Sequence, residues 1–281
     1  MARETYFSDR EKIFGKAETI LTADFSKVNN NILKEIKGIL KELDISAGNI
    51  AVNSAQNRKI LNTAFERVKA SILETDYKTN VTGYLRSFQQ ISDNNILFHS
   101  TVNQLSNVDN TITPLQSIAV KNTLNSLLGN GMDAAFTDAL TRNLQGYITQ
   151  GANITQVENS LSLFIKGDSK NLGKLERYVK QIAGDAIRQY DGQLQGAIQA
   201  EYKLNAVSYE GSLIKDSRPQ CVRWVKQKKG VLMVKELVNE IEWAFKNGSG
   251  MIPGTLPATF YQNRGGFACR HAATAINIVE K

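Results

Sequence analysis

The sequence predicts a mainly α protein in which a long N-terminal helical region is followed by a small α+β C-terminal domain. Three observations lead there. Apolar residues recur at intervals of three and four through most of the chain up to Asn205, the spacing of one face of an amphipathic helix. Proline is rare and late: Pro114 stands alone before Pro219, Pro253 and Pro257. Both tryptophans (Trp224, Trp243) and both cysteines (Cys221, Cys269) lie in the same late quarter, so the composition changes near residue 205. The expected segments are 1–116, a helical hairpin with a connecting arm; 117–204, a further helical region; and 205–281, the α+β domain.

Taken in order, Ser8-Asp9-Arg10-Glu11 has the form of a capping box and predicts a helix starting there. In NNILKEIKGILKELDI, residues Ile32, Leu33, Ile36, Ile39, Leu40 and Leu43 share one helix face. A second run over about 56–90 is carried by Ile60, Leu61, Phe65, Val68, Ile72, Tyr84 and Phe88, and the intervening "SAGN" suggests an antiparallel hairpin of two long helices. Residues 92–116 lose the period and are rich in Asn, Ser and Thr, which reads as a loop or docking arm. Helices are expected again at about 117–128, 132–149, 155–166 and 171–204. Past Asn205, AVSYEGSLI alternates as a half-buried strand, with Val207, Tyr209 and Leu213 on one side. Asp216-Ser217-Arg218-Pro219 signals a short helix that places Cys221, Trp224 and Val225 on one face. VKELVNEIEWAFKNG predicts another helix, and HAATAINIV a closing strand.

The charge balance, 34 Lys+Arg against 27 Asp+Glu for a net +7, is spread along the chain and fits an acidic partner or nearby nucleic acid without specifying either. The charged opening MARETYFSDREKIFGK has no apolar core of a secretory signal, and no uninterrupted apolar run reaches the length of a membrane span, so no membrane role is expected.

Several chemistries fail on spacing. Gly167 to Gly173 imitates a phosphate loop, but with an extra residue between the glycines and Leu175 where a magnesium-binding hydroxyl belongs. A zinc-protease helix needs two histidines four apart, and the chain has only His99 and His271. Glu240-Ile241-Glu242 imitates a paired-glutamate transferase motif but fits the solvated face of an amphipathic helix. A Cys–His nucleophile built from Cys221 or Cys269 with His271 lacks an identifiable orienting residue. No catalytic role is therefore assigned. His99 reads as an ordinary polar residue.

The stretch GGFACRH, residues 265–271, has a structural reading. If the strand before Asp216 pairs with the strand after His271, Cys221 and Cys269 come together, and Gly265 and Gly266 let the backbone turn where a side chain would clash. Three states are open. A disulfide would close a loop of about 48 residues, worth roughly 4 kcal/mol in the chain-entropy model. A zinc ion would take Cys221, Cys269 and His271, with Asp216 or water as fourth ligand. The third state is a pair of free thiols in a core. Arg218 and Arg270 are expected to pair with Asp216 and cap the turn.

Read together, Ala186-Ile187-Arg188 through Gly192, Gln195 and Gly196, then AVSYEGSLI, then Asp216-Ser217-Arg218-Pro219-Gln220-Cys221, and finally Gly265-Gly266-Phe267-Ala268-Cys269-Arg270-His271 resemble the C-terminal domain of phage-Mu F-type minor head proteins over about residues 183–281. That family combines a helix with an early arginine, a strand, a D-x-R-x-x-C or D-x-R-x-x-H turn and a late N-C-R-C or N-C-R-H element. Here Ala268 replaces the usual asparagine, and the first turn has a single cysteine. The resemblance implies a minor protein of a tailed-phage virion at the head, portal or neck, assembled in the host cytoplasm in several copies. It would act in head morphogenesis, DNA packaging or ejection, with portal and other head or neck proteins as partners and non-specific contact with packaged DNA. The alternatives are a zinc- or thiol-dependent enzyme acting on nucleic acid or nucleotide, and a cargo protein ejected with the DNA.

Overall fold

The computed structural model describes residues 3–267 and 269–278, and the chain is mainly α with one small sheet near the C-terminus. In chain order the elements are α1 (Arg3–Thr22), α2 (Phe25–Glu42), β1 (Ile45–Ser46), β2 (Asn49–Ile50), α3 (Ala55–Leu73), α4 (Tyr77–Thr101) and α5 (Val108–Leu128). Then come α6 (Asn130–Met132), a π-helical turn over Asp133–Thr137, α7 (Asp138–Gln150), α8 (Ile154–Lys166) and α9 (Lys174–Tyr202). The C-terminal elements are β3 (Ala206–Glu210), α10 (Pro219–Val222), β4 (Val231–Met233), α11 (Leu237–Asn247), α12 (Phe260–Asn263) and β5 (Ala272–Ile276).

Several expectations are corrected. The helix expected to begin at Ser8 is already under way at Arg3, so Asp9 acts as a surface partner of Lys12 at 3.0 Å and not as part of a cap. The run 56–90 is two helices, broken at 74–76. The supposed loop 92–116 is helical except for 102–107. Its period was hidden because the inward positions of α4 alternate apolar with polar: Phe88, Ile91, Ser92, Asn95, Phe98 and His99 are all buried. The "SAGN" stretch forms the small β1–β2 hairpin, with Ile45 opposite Ile50.

Contacts divide the chain into two compact units that interleave along the sequence: Met1–Phe14, Ser87–Val120 and Asp185–Lys281 in the first, Gly15–Arg86 and Lys121–Gly184 in the second. In the second unit the strongly amphipathic α2 packs on α3 and α8, α3 on α7, and α7 on α8. Ile32, Ile36 and Ile39 meet this core together with Ile60, Val68, Leu140, Leu144, Leu161 and Ile165, all at most 4 % exposed. Burying each such side chain stabilises the unit by about 1.5–3 kcal/mol. Asn153 caps α8 by accepting from the amides of Thr155 and Gln156, and Gly151 ends α7 in the left-handed region at φ 64°.

The first unit holds the sheet. Its order is β4-β3-β5, all antiparallel, with Ala206 opposite Ile276 and Glu210 opposite Ala272. Because β3 is central, Ala206, Val207, Ser208 and Tyr209 are all buried, so both faces are covered and the strand is not the half-buried one that alternation suggests. Tyr6 of α1 stacks on Phe98 of α4 at 4.1 Å between ring centres, and both pack on Ala206 and Ile276.

A buried polar network runs through the same unit. Arg10 donates through one guanidinium nitrogen to Tyr6 Oη (3.2 Å), Asp191 Oδ2 (3.3 Å) and Thr274 Oγ1 (3.0 Å). Asn95 donates to Asp191 Oδ1 at 3.2 Å, and Gln195 donates to Tyr6 Oη at 3.1 Å while accepting from the Ala275 amide at 2.9 Å. Asn95 and Gln195 also bond each other. His99 faces Gln195 Oε1 at 3.3 Å and Asn103 at 2.8 Å, and burial pushes its pKa down to about 4. It is a fully buried core residue.

Candidate functional site

The site assembles where β3, α10 and the segment before β5 meet. Pairing of β3 with β5 sets the C-terminal end of β3 beside residues 269–271. Arg218, extended at φ −62° and ψ 148°, is the N-cap of α10, and Pro219 at the first helical position contributes the fixed φ that a helix start requires. One turn of helix then directs Cys221 inward beside Trp224, with both side chains buried.

Cys221, Cys269 and His271 form one buried group, with a sulfur from each cysteine and a ring nitrogen of the histidine all within 4.8 Å of one another. His271 Nδ1 lies 3.7 Å from Cys269 Sγ. The two cysteines are free thiols, so the disulfide is not the state of this structure. Tyr209, from β3, places its hydroxyl 3.3 Å from Cys221 Sγ and 3.4 Å from Cys269 Sγ. Its ring stacks on the His271 imidazole at 5.2 Å and 12°. On the other flank Gly211, at φ +149°, is so close that a Cβ there would stand 2.6 Å from the His271 ring. The imidazole is thus fixed in orientation by its neighbours, yet its Nε2 is buried with no hydrogen-bond partner.

The proton inventory of the pair is asymmetric. The Cys269 thiol is held well below its ordinary value, chiefly by the hydrogen bond from Cys221 and further by those from His271 and Tyr209. The hydrogen bond to Cys269 together with burial pushes Cys221 up, and burial pushes the Tyr209 phenol up.

The two glycines do different things. Gly265 presses its Cα against the group: a Cβ there would lie 2.5 Å from Cys221 Sγ, 2.7 Å from Tyr209 Oη and 3.0 Å from Cys269 Sγ. Gly266, at φ +107°, has the Gly250 carbonyl where a side chain would be. Arg218 ties this turn down by donating to the Gly265 carbonyl at 3.0 Å and to that of Phe267, and Gln220 donates to the Gly265 carbonyl at 2.8 Å. That use of Arg218 corrects the expected pairing with Asp216. Asp216 itself is exposed and stands outside the cysteine–histidine group, so it is not the fourth member; Arg270 is exposed as well. Ala268 lies outside the described residues.

Asp216, Arg218, Arg270 and the cysteine–histidine group all line one pocket of about 900 Å³, which Arg10, Glu11, Glu210 and Ile214 also border. Sequence reasoning passed over Tyr209 and Gly211. The signal for Tyr209 was its place on the strand leading to the Asp216 turn, which was read only as packing. Glu240, expected on a solvated face, is buried at 3 % exposure and binds Arg223 (2.8 Å), Lys228 (3.0 Å) and the Trp224 indole N–H (3.1 Å). Burial opposes its ionisation, but the hydrogen bonds from Arg223 and Lys228 prevail and bring its pKa down to about 2. No family model, no curated protein and no solved structure matches the chain.

Proposed function

We propose that the chain is a minor structural protein of a tailed-phage virion, placed at the head, portal or neck and acting in head morphogenesis, DNA packaging or DNA ejection. One observation supports this reading above the others: of the four segments that carry the resemblance to F-type minor head proteins, the strand, the Asp216 turn and the late element meet in space, and α9 packs on the chain just before the late element. Gly192 of α9 admits the backbone of Tyr261 and Gln262, where a Cβ would stand 2.5 Å from the Tyr261 carbonyl oxygen. The strand after α9 pairs with β5, and Arg218 of the first turn holds the carbonyls of Gly265 and Phe267 in the late element. Residues far apart in sequence are thereby used as one clasp.

On this reading the partners are portal and other head or neck proteins, the chain is present in several copies, and its net +7 charge tolerates packaged DNA close by. Lysine-directed cross-linking of purified DNA-filled particles followed by peptide mass spectrometry tests the placement. Cross-links from this chain to portal or neck proteins are expected, and cross-links confined to itself or to host proteins would refute it.

A second reading, a zinc- or thiol-dependent enzyme acting on nucleic acid or nucleotide, is favoured by one feature: the cysteine–histidine group borders a pocket that Arg218 and Arg270 also line. Turnover of single-stranded DNA, RNA or nucleotides by the purified chain, lost on Cys269→Ser with the fold retained, would place that reading first.

A further inference from the structure

The geometry points to a structural metal site: Cys221 Sγ, Cys269 Sγ and a ring nitrogen of His271 bind one thiophilic divalent cation, Zn²⁺ by its chemistry, with the Tyr209 hydroxyl and not Asp216 at the fourth position. The donor set is two thiols and an imidazole, the combination zinc prefers over magnesium or calcium. In a tetrahedral site with sulfur near 2.3 Å and nitrogen or oxygen near 2.0–2.1 Å from the metal, neighbouring donors stand about 3.5–3.8 Å apart. The structure has Cys269 Sγ 3.7 Å from His271 Nδ1, and Tyr209 Oη 3.3 Å and 3.4 Å from the two sulfurs, so small contractions of the 4.8 Å group complete the shell.

Three further features fit a cation there. The space between the sulfurs and the phenol is kept open only because residue 265 is glycine, since a Cβ would fill it. His271 is buried at 8 % exposure and turns Nδ1 toward Cys269 Sγ at 3.7 Å, so Nδ1 is the nitrogen placed to ligate. Its orientation is fixed by stacking on the Tyr209 ring at 5.2 Å and by the close approach of Gly211. The two thiol ligands come from segments 48 positions apart, 269 minus 221, so an ion would cross-link the start of α10 to the segment entering β5. With four protein donors the site is closed and structural, and this inference stands independently of the virion reading.

The test uses the full chain, stripped with chelator under reducing conditions and titrated with Co²⁺ as a spectroscopic probe and then with Zn²⁺. One equivalent of Co²⁺ is expected to give the thiolate-to-cobalt charge-transfer band and the intense visible bands of a tetrahedral site, with Zn²⁺ displacing it. Tyr209→Phe should keep the thiolate charge-transfer band but weaken the affinity by at least about 10-fold, since a direct ligand is lost and even loss of an outer-shell partner costs that much. Asp216→Asn should change nothing. Because Cys221→Ser or Gly265→Ala can unfold the chain, a second measurement uses the unaltered protein: one equivalent of Zn²⁺ should shield both cysteines from alkylation. Weak octahedral cobalt spectra, or cysteines alkylated equally with and without Zn²⁺, would overturn the site. An Asp216→Asn effect with none from Tyr209→Phe would overturn the ligand assignment.

Discussion

Replacing Asp191 with alanine removes the only carboxylate that the described structure pairs with Arg10. Arg10 is 0 % exposed and Asp191 4 %, so the guanidinium is held inside the fold and loses its charge partner there. Its remaining acceptors, Tyr6 Oη at 3.2 Å and Thr274 Oγ1 at 3.0 Å, are neutral, and its Nε has no partner. Breaking one side of a buried pair costs about 3–5 kcal/mol, because a charge stays in the low-dielectric interior uncompensated. Asn95 also loses its acceptor, Asp191 Oδ1 at 3.2 Å. With a urea slope of about 2 kcal/mol per molar, the unfolding midpoint should fall by about 2 M. Trp224, fully buried, reports the transition by fluorescence. The control is Arg10→Met with Asp191→Leu, which removes both charges while keeping the volume filled and should recover most of the loss. A single variant within about 1 kcal/mol of the parent, or a double variant as unstable as the single, would refute the reasoning.

Three further outcomes follow from the same structure. His99 has its pKa lowered from 6.5 to about 4, so the unfolded chain binds the extra proton first and His99 costs stability as pH falls from about 6.5 toward 4, up to about 3 kcal/mol; His99→Gln should flatten urea midpoints over that window, and an unchanged slope would count against burial as the cause. Gly211→Ala forces a side chain into φ +149° with the His271 ring 2.6 Å away, so the melting temperature should drop by an amount equivalent to about 2–4 kcal/mol, whereas exposed Gly254, with nothing near a Cβ, should lose less on the same change. Glu240→Ala strands Arg223, Lys228 and the Trp224 indole N–H, and a loss of about 2–4 kcal/mol with a changed Trp224 emission maximum is expected in thermal melts, against no spectral change if the glutamate is only a surface charge.

How far the sequence could be read depended on whether the inward-facing residues are apolar. In α2 they are, and Ile32, Ile36 and Ile39 marked the helix correctly. In α4 the same face carries Ser92, Asn95 and His99, which serve a polar network, so periodicity of hydrophobicity had nothing to register. The network was invisible for a second reason: Arg10, Asn95, Asp191, Gln195 and Thr274 come from four elements, and each alone is a common surface residue type. The two strands flanking Asp216 and His271 were legible from their apolar pattern, but their pairing was only a condition in the sequence; the antiparallel register of β3 and β5 supplies it and brings Cys221, Cys269 and His271 together. Asp216 was misplaced because a carboxylate near two cysteines suggests a ligand, whereas the chain turns it to solvent and brings the Tyr209 phenol in from the strand.

The virion assignment is tested most directly by quantitative peptide mass spectrometry of purified DNA-filled particles from the source system, with the major capsid protein as internal standard. The account predicts this chain in the particle at a small fraction of the capsid copy number. Its absence from such particles, with the polypeptide abundant in the infected cell lysate, would contradict the account and leave the enzyme reading in its place.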